Sequence, residues 1–528
     1  MDDFDVIVVG AGSSGGVIAS RLSEDDSCRV LLLEGGPDFP EEETLPPLFA
    51  VSGGHRWIPA GIPEMDWGLW NEPQANGHQV RLARGKLVGG SSMVNGTVAV
   101  RGAPFDYDRW ASLGNPGWSW DDVLPYFCRL ENDADFGDEP YHGTGGPIHV
   151  RRFDRSAWSP IHEAFVDGCL EAGLRDAPDL NAPDASAGCV GAWPQNRLNE
   201  VRLGTLTTYI RAARRRPNFE LHADALVDRI LFDGDRATGV RYISDTGEPV
   251  EAHAGLVIVA AGAYLTPTVL QRSGIGPAEV LRRAGVEPRI DLPVGRNLSD
   301  HPNAVMAIQA EALSPTTGRI FLTNCRGPAV NGPEPSWQAL AVPVDEATGL
   351  SAIVICLNRQ DALGYVEITG PDPGRSPRID HRYNTCEADF ARFEEGFAFC
   401  RELLRTRPFT AVGATEVTAG RSVRDIVMTG VGTAQHPVGT CRMGPAGDGT
   451  TVVDHRLRVH GVEGLMVADS SVFPDNTMNN TNLTCYMIGE KAADLARGRA
   501  ADTEPSADSV RVEHTLEPEE ARDANAVR

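Results

Sequence analysis

The sequence predicts an α/β protein in which a Rossmann-like, parallel-sheet domain is interleaved with an α+β domain built on an antiparallel sheet. Three observations carry this. First, residues 5–9 (DVIVV) form a short β-branched apolar run, the glycine-rich turn GAGSSG follows from Gly10 to Gly15, and Val17, Ile18 and Leu22 then recur at helical spacing. A second apolar run at residues 29–33 (RVLLL) completes a strand–helix–strand unit whose strands must lie parallel. Second, residues 256–261 (LVIVAA) and 465–468 (LMVA) are uninterrupted apolar runs, as strands covered on both faces require. Third, the short alternating segments at residues 305–310, 339–344, 352–357 and 365–369 read as strands of an antiparallel sheet.

One sheet is therefore assembled from distant stretches of chain. Residues 5–300 form the nucleotide-binding region, interrupted at about 147–214 by an insertion of the second domain, and residues 301–429 belong mainly to that second domain. Residues 430–497 return to the first. Residues 498–528 are acidic, carry almost no large apolar side chain, and read as a disordered tail.

The chain has 528 residues, 41% hydrophobic and 23% charged, which is enough for a large buried core. Its net charge of -25, from 73 acidic and 48 basic side chains, excludes a phosphate-backbone partner, because nucleic-acid binding depends on Lys and Arg releasing counterions. The same charge disfavours an anionic membrane surface. No stretch reaches the ~18 apolar residues needed to span a bilayer, and the opening MDDFDVIVVG has acidic flanks where a secretory leader has basic ones. A cytoplasmic protein is expected. The ten cysteines form no CxxC pair and have no histidine at ligand spacing, so neither a metal site nor a disulfide framework is expected.

In a GxGxxG turn the first glycine allows the tight turn, the second lets the backbone approach a pyrophosphate, and the third lets helix and strand pack closely. Gly10, Gly12 and Gly15 fill these places, with Ser13 and Ser14 between them. Glu34, 24 residues beyond Gly10 at the end of the second strand, can accept hydrogen bonds from an adenosine ribose. This unit alone calls for a dinucleotide and leaves NAD and FAD open.

From Arg84 the chain reads RGKLVGGSSMVNGTVAVRG, and from Gly262 it reads GAYLTPTVLQRSGIG. Four further segments follow the same pattern in order: NPGWSWDDVLPYF from Asn115, VGRNLSDHP from Val294, HPVGTCRMG from His436, and VHGVEGLMVADSSVFP from Val459. Together they resemble the glucose-methanol-choline (GMC) oxidoreductase family over nearly the whole chain, up to about Arg497. The resemblance implies FAD as the cofactor. It places Gly89, Gly90, Ser91 and Ser92 against flavin and pyrophosphate, Asn95 near the isoalloxazine, and the Val227 backbone at the adenine. Arg84, Ala261, Gly262, Asp469 and Asn482 also fall at cofactor-binding positions of the family. Some members link FAD through a histidine just before the asparagine of the glycine-serine segment; Val94 stands there, which implies dissociable FAD.

Oxidising an alcohol requires a base for the hydroxyl proton, and histidine has the appropriate pKa. Of thirteen histidines, His436 matches the family's catalytic one. The family's second catalytic position falls at Asn480, in PDNTMNNTNLT, where an amide can donate to the substrate oxygen; the neighbouring Asn479 and Asn482 leave the register open by a residue. A helix predicted over residues 483–497 would point its positive end at the flavin. The expected reaction is FAD-dependent oxidation of a small-molecule alcohol, with a quinone, an electron carrier or oxygen as acceptor and dehydrogenase activity favoured over oxidase. The alternatives are a cyanohydrin lyase or fatty acid photodecarboxylase on the same scaffold, or a binding flavoprotein with structural FAD. The identity of the alcohol and the oligomeric state stay open.

Overall fold

The protein is described by a computed structural model covering residues 4–498, apart from 41–44, 47–48, 50–62, 75, 311–318, 330–332 and 346–347. The tail expected at 498–528 lies, save Gly498, outside the described residues. The opening apolar run becomes the strand Phe4–Val9, flanked in parallel by Val30–Leu33 and by the second half of Pro249–Val259. Phe219–His222 extends the sheet beyond Val30–Leu33, and Leu465–Val467 extends it beyond Pro249–Val259, again in parallel. The inner strands are buried along their paired lengths, and that two-sided cover is why they read as continuous apolar sequence.

The first half of Pro249–Val259 pairs antiparallel with Arg236–Ile243, which pairs in turn with Leu226–Asp233. Sequence reading does not anticipate this hairpin or Phe219–His222. The hairpin strands mix buried with part-exposed residues and Phe219–His222 has no fully buried residue, so no apolar run marks them.

The second sheet has eight strands, with Pro302–Ala310, Ser351–Leu357 and Trp337–Val342 at its centre. Three of the four alternating segments expected in this sheet are therefore there. The fourth is not: among the described residues Tyr365–Glu367 pairs only with Arg378–Asp380. Its neighbours donate backbone N–H groups to the 295–298 segment, Val366 to Gly295 at 2.7 Å and Gly364 to Leu298 at 2.8 Å, and these draw it away from the sheet.

Strand periodicity gives the eight-stranded sheet two distinct faces. Ala304, Met306, Ile308, Ala339, Ala341, Ile353 and Ile355 pack in one core with the helices Pro160–Glu171, Glu387–Leu403 and Val423–Gly430. The alternate residues Asn303, Val305, Gln338, Leu340, Val342, Val354 and Cys356 line a cavity between this sheet and the parallel one.

The 147–214 segment divides between structures. Cys189–Ala192 joins the eight-stranded sheet, while Ile148–Arg151, Gln195–Leu198 and Val201–Arg202 form a four-stranded sheet with Glu131–Asp133. Leu206–Ile210 returns to the first domain, where a side chain on Gly16 would meet Ile210 and Thr205 at 3.0 Å.

First and last helices, Gly15–Leu22 and Asn482–Ala496, are locked together by Glu490. Its buried carboxylate accepts from Arg21 at 2.8 Å, Arg129 at 2.8 Å and the Tyr209 hydroxyl at 2.7 Å. A buried carboxylate is tolerated only when its lone pairs are this fully engaged. The consequence is positional: both helix N-termini open on the same cavity.

Candidate active site

Each glycine of GAGSSG is required for a different reason. Gly10 has φ 99°, a left-handed conformation in which a Cβ would also lie 2.6 Å from the Ala260 carbonyl oxygen. A Cβ on Gly15 would lie 1.9 Å from the Gly10 carbonyl oxygen, so it permits the helix to close on the strand. A Cβ on Gly12 would meet nothing within 4 Å, because Gly12 faces the cavity. The second glycine loop arrives from the other side, and a Cβ on Gly90 would sit 2.8 Å from Gly12 Cα. The two loops are thus in close approach across residues that have no side chains.

A continuous cavity of about 900 Å3 runs from Glu34 and Val227 at one end to His436 and Asn480 at the other. That is the upper part of the ~300–1,000 Å3 range of ligand sites. Its wall includes Gly10, Gly12, Ser13, Ser14, Glu34, Arg84, Gly90, Ser91, Asn95, Val227, Ala261, Gly262, Asp469 and Asn482. Residues at the N-termini of three helices of eight residues or more, Gly15–Leu22, Gly262–Arg272 and Asn482–Ala496, converge on it and give it a positive field. The buried amide nitrogens of Asn95 and Asn482 have no hydrogen-bond partner among the described residues. Backbone exposed by glycine, helix N-termini and unpaired amide donors together fit a long, anionic dinucleotide.

Individual placements refine the expectation. Gly15 and Gly89 stand behind the cavity wall: Gly89, at φ 95°, leaves room for Met93 and Leu206. Ser92 also turns inward, donating to the Gly89 carbonyl and accepting from the Thr205 N–H at 3.0 Å. Glu34 accepts from the Ala11 and Gly36 N–H groups at 3.0 and 3.1 Å, and burial raises its carboxyl to about 7. Asp469 accepts from Gly262 N–H and the Thr266 hydroxyl, tying the end of one strand to the helix Gly262–Arg272. The Val227 carbonyl accepts from Arg272 at 3.1 Å, and Arg272, Trp67 and Lys86 join it in the wall; Arg272 and Lys86 lie within the GAYLTPTVLQRSGIG and RGKLVGGSSMVNG segments, where sequence reading gives them no role, and no motif marks Trp67.

At the far end His436 is paired with His301, which lies in the VGRNLSDHP segment but to which sequence reading gives no role. His301, buried, donates from Nε2 to the Thr477 carbonyl at 2.8 Å, so the lone pair of its neutral ring is on Nδ1. His301 Nδ1 lies 2.9 Å from His436 Nδ1, which must therefore be the donor. The His436 lone pair is left on Nε2, where the Asn480 amide donates to it at 3.1 Å. Burial, with His301 and Arg84 nearby, lowers His436 to about 3, and burial also lowers His301. Both rings are neutral at physiological pH.

Asp300 anchors this pair. Its buried carboxylate accepts the backbone N–H of His436 at 2.8 Å, the Tyr383 hydroxyl at 2.6 Å and the Thr433 hydroxyl. Burial would raise its carboxyl, but His381, Thr433, Tyr383 and His436 hold it at about 2. Gln435 occupies a left-handed conformation at φ 66°, strained for a side-chain-bearing residue, and its carbonyl accepts from Arg84 at 3.0 Å. Arg84 is thereby committed to the His436 end of the cavity.

The three candidate asparagines separate by contact. Asn479 is buried, donates to the Arg101 carbonyl at 2.6 Å and accepts from Arg326 at 3.3 Å. Asn482 accepts from the Ser13 hydroxyl at 2.8 Å. Asn480 alone of the three reaches His436. The loop carrying it is held at successive residues: Asp106 accepts the Met478 N–H at 3.1 Å, and Gln338 donates to the Met478 carbonyl at 3.1 Å.

Glu131, Asp133 and His142 also cluster at metal-ligand distances, but Arg101 is already paired with Glu131 and Arg152 with Asp133, charges that a cation would have to displace. No helix among the described residues is long and apolar enough to cross a membrane.

Comparison with known proteins finds relatives over nearly the whole chain. Two GMC oxidoreductase family models match, over residues 4–303 and 360–489. The chain is 34% identical over 543 residues to an oxygen-dependent choline dehydrogenase of Rhizobium rhizogenes, covering 94% of this chain and 96% of the relative. It is also 34% identical to a 5-(hydroxymethyl)furfural oxidase of Methylovorus sp., covering 93% and 98%. Among solved structures, pyridoxine 4-oxidase from Mesorbium loti superposes with a TM-score of 0.84 at 28% identity, covering 93% of this chain and 98% of that one.

The glycine geometry predicts two separable outcomes. Gly12→Ala should fold with a near-native melting temperature but lose most of its bound flavin, because the methyl group enters the space open to the pyrophosphate. Gly15→Ala should lose about 1–3 kcal/mol of stability to overpacking. Flavin absorbance per protein and thermal melting of both variants check this.

Proposed function

Because this chain belongs to the GMC oxidoreductase family, we propose that it oxidises an alcohol to the aldehyde or ketone with His436 as the base and Asn480 as the oxyanion donor. The family binds FAD and its named relatives act on alcohols, so this is an FAD-dependent oxidoreductase of alcohols. The single observation that carries the residue roles is the relay Thr477–His301–His436, which leaves an unprotonated Nε2 at the cavity beside an amide donor.

FAD, held at the glycine loops and the three helix N-termini, supplies a two-electron acceptor for the hydrogen leaving the carbinol carbon. The remaining work falls to side chains. His436 Nε2 takes the hydroxyl proton without first having to lose one, since its ring is neutral. His301 keeps the His436 ring in the tautomer that makes this possible, and Asp300 favours the transient imidazolium. Asn480 donates its amide N–H to the developing alkoxide, and Arg84 and the N-terminus of Asn482–Ala496 add positive potential there. The sheet face opposite excludes water.

Val94 offers no group for a covalent link, so the flavin is dissociable. Ten unpaired thiols favour a reducing compartment, the cytoplasm. For the second half-reaction we favour a dehydrogenase that passes electrons to a quinone or carrier; peroxide formation with oxygen that outpaces reduction of an artificial quinone would reverse this.

His436→Ala should keep its acid-extractable FAD while bleaching of the flavin by alcohol slows by roughly 100- to 10,000-fold. Rapid anaerobic reduction in that variant would contradict the assignment. The pH profile tests the same base independently. A base must be unprotonated, so activity is lost as pH falls through its pKa; with His436 at about 3, flavin reduction should stay level from neutral down to about pH 5 and fall only below it.

A further inference from the structure

We propose that the alcohol accepted here carries an uncharged apolar body, an aryl or alkyl group, and that the cavity is built against quaternary ammonium and polyhydroxylated substrates. This rests on the alcohol oxidation proposed above. The cavity wall facing the chemistry is the inner face of the eight-stranded sheet, where Val305, Leu340, Val342 and Val354 stand on neighbouring strands. This face is joined directly to the catalytic segment, since Asn303 pairs with Gly432 four residues before His436. Trp193 and Phe321 close the side, their rings 5.9 Å apart, and Phe321 lies 2.6 Å from where a Cβ of Gly96 would be, next to Asn95.

Charge decides against an ammonium. A buried cation needs a carboxylate or a cage of aromatic faces. Among the described residues the carboxylates lining the cavity are Glu34, Asp66 and Asp469. Glu34 is at the opposite end and engaged by two backbone N–H groups, Asp469 is engaged by Gly262 and Thr266, and Asp66 is paired with Arg81 at 2.6 Å. Trp193 and Phe321 touch each other and leave no gap between their faces for an ammonium. Asp300 contacts His436 from behind and does not line the cavity, and the charged side chain that does line it at this end is a cation, Arg84.

Polar capacity decides against a polyol. Each buried hydroxyl without a partner costs about tenfold or more in affinity. Gln338 has both ends of its amide engaged, donating to Met478 at 3.1 Å and accepting from Asn324 at 3.2 Å. Asn303 is then the amide of this face with no side-chain hydrogen bond among the described residues; the unpaired Gln435 Oε1 and Asn95 Nδ2 lie on loops outside the sheet, so the face itself suffices for one hydroxyl and not for several.

The test is anaerobic reduction of the FAD holoenzyme by benzyl alcohol, 1-hexanol, choline and glucose, followed by stopped flow. Benzyl alcohol or 1-hexanol should exceed choline and glucose in kcat/KM by at least about 100-fold, the product of two lost polar matches of about tenfold each. Val354→Asp should raise KM for benzyl alcohol and narrow its lead over choline at least about tenfold. Choline or glucose bleaching the flavin as fast as the apolar alcohols overturns this inference and leaves alcohol oxidation standing. Bleaching by no alcohol in the panel overturns alcohol oxidation itself, and this inference with it.

Discussion

The hydrogen bond from His301 to the Thr477 carbonyl is the constraint on which the rest of the site depends. A carbonyl can only accept, so the contact fixes which nitrogen of His301 carries the proton, and through the 2.9 Å contact it fixes the tautomer of His436. It also joins two segments far apart in sequence, since Thr477 lies three residues before the asparagine that meets His436. One buried bond therefore sets the distance between base and amide and the protonation of the base. Asp300, Asp106, Gln338 and Arg326 hold the surrounding backbone and side chains, which keeps the arrangement from relaxing.

The other end of the cavity obeys a different constraint, that of bringing backbone close to a polyanion. Side chains are obstacles there, which is why Gly12 and Gly90 approach one another and why the helices Gly15–Leu22, Gly262–Arg272 and Asn482–Ala496 begin at the wall. Glu490 secures this by bonding to Arg21, Arg129 and Tyr209, groups from three separate stretches of chain. The net charge of -25 is thus no measure of the site: the protein is acidic overall while its cavity offers helix N-termini, Arg84 and unpaired amides.

Between the two ends, the eight-stranded sheet serves two purposes through the alternation of its strands. Ala304, Met306 and Ile308 are committed to the core with the helices, while Asn303 and Val305 on the same strand face the cavity. Substrate selection and domain stability are thereby separated residue by residue, so the wall can vary without disturbing the packing behind it.

Much of this was legible in the sequence. The parallel strands are found from uninterrupted apolar runs and the pyrophosphate turn from GAGSSG, because each depends on local periodicity or on residues close together in the chain, while His436 and Asn480 are singled out by the family resemblance of the segments that carry them. The hairpin at 226–243 and the strand at 219–222 leave no such mark, being half exposed, and the 365–369 segment has strand character but finds its partner elsewhere. Local sequence thus determined the fold class, the dinucleotide loop and the chemical types of the candidate catalytic residues. Only the tertiary structure decided that His301 stands behind His436, that Asn480 and not Asn479 meets it, and that the facing wall is apolar. The physical reason is that tautomer, pKa and selectivity arise from contacts between residues hundreds of positions apart, which no local pattern encodes.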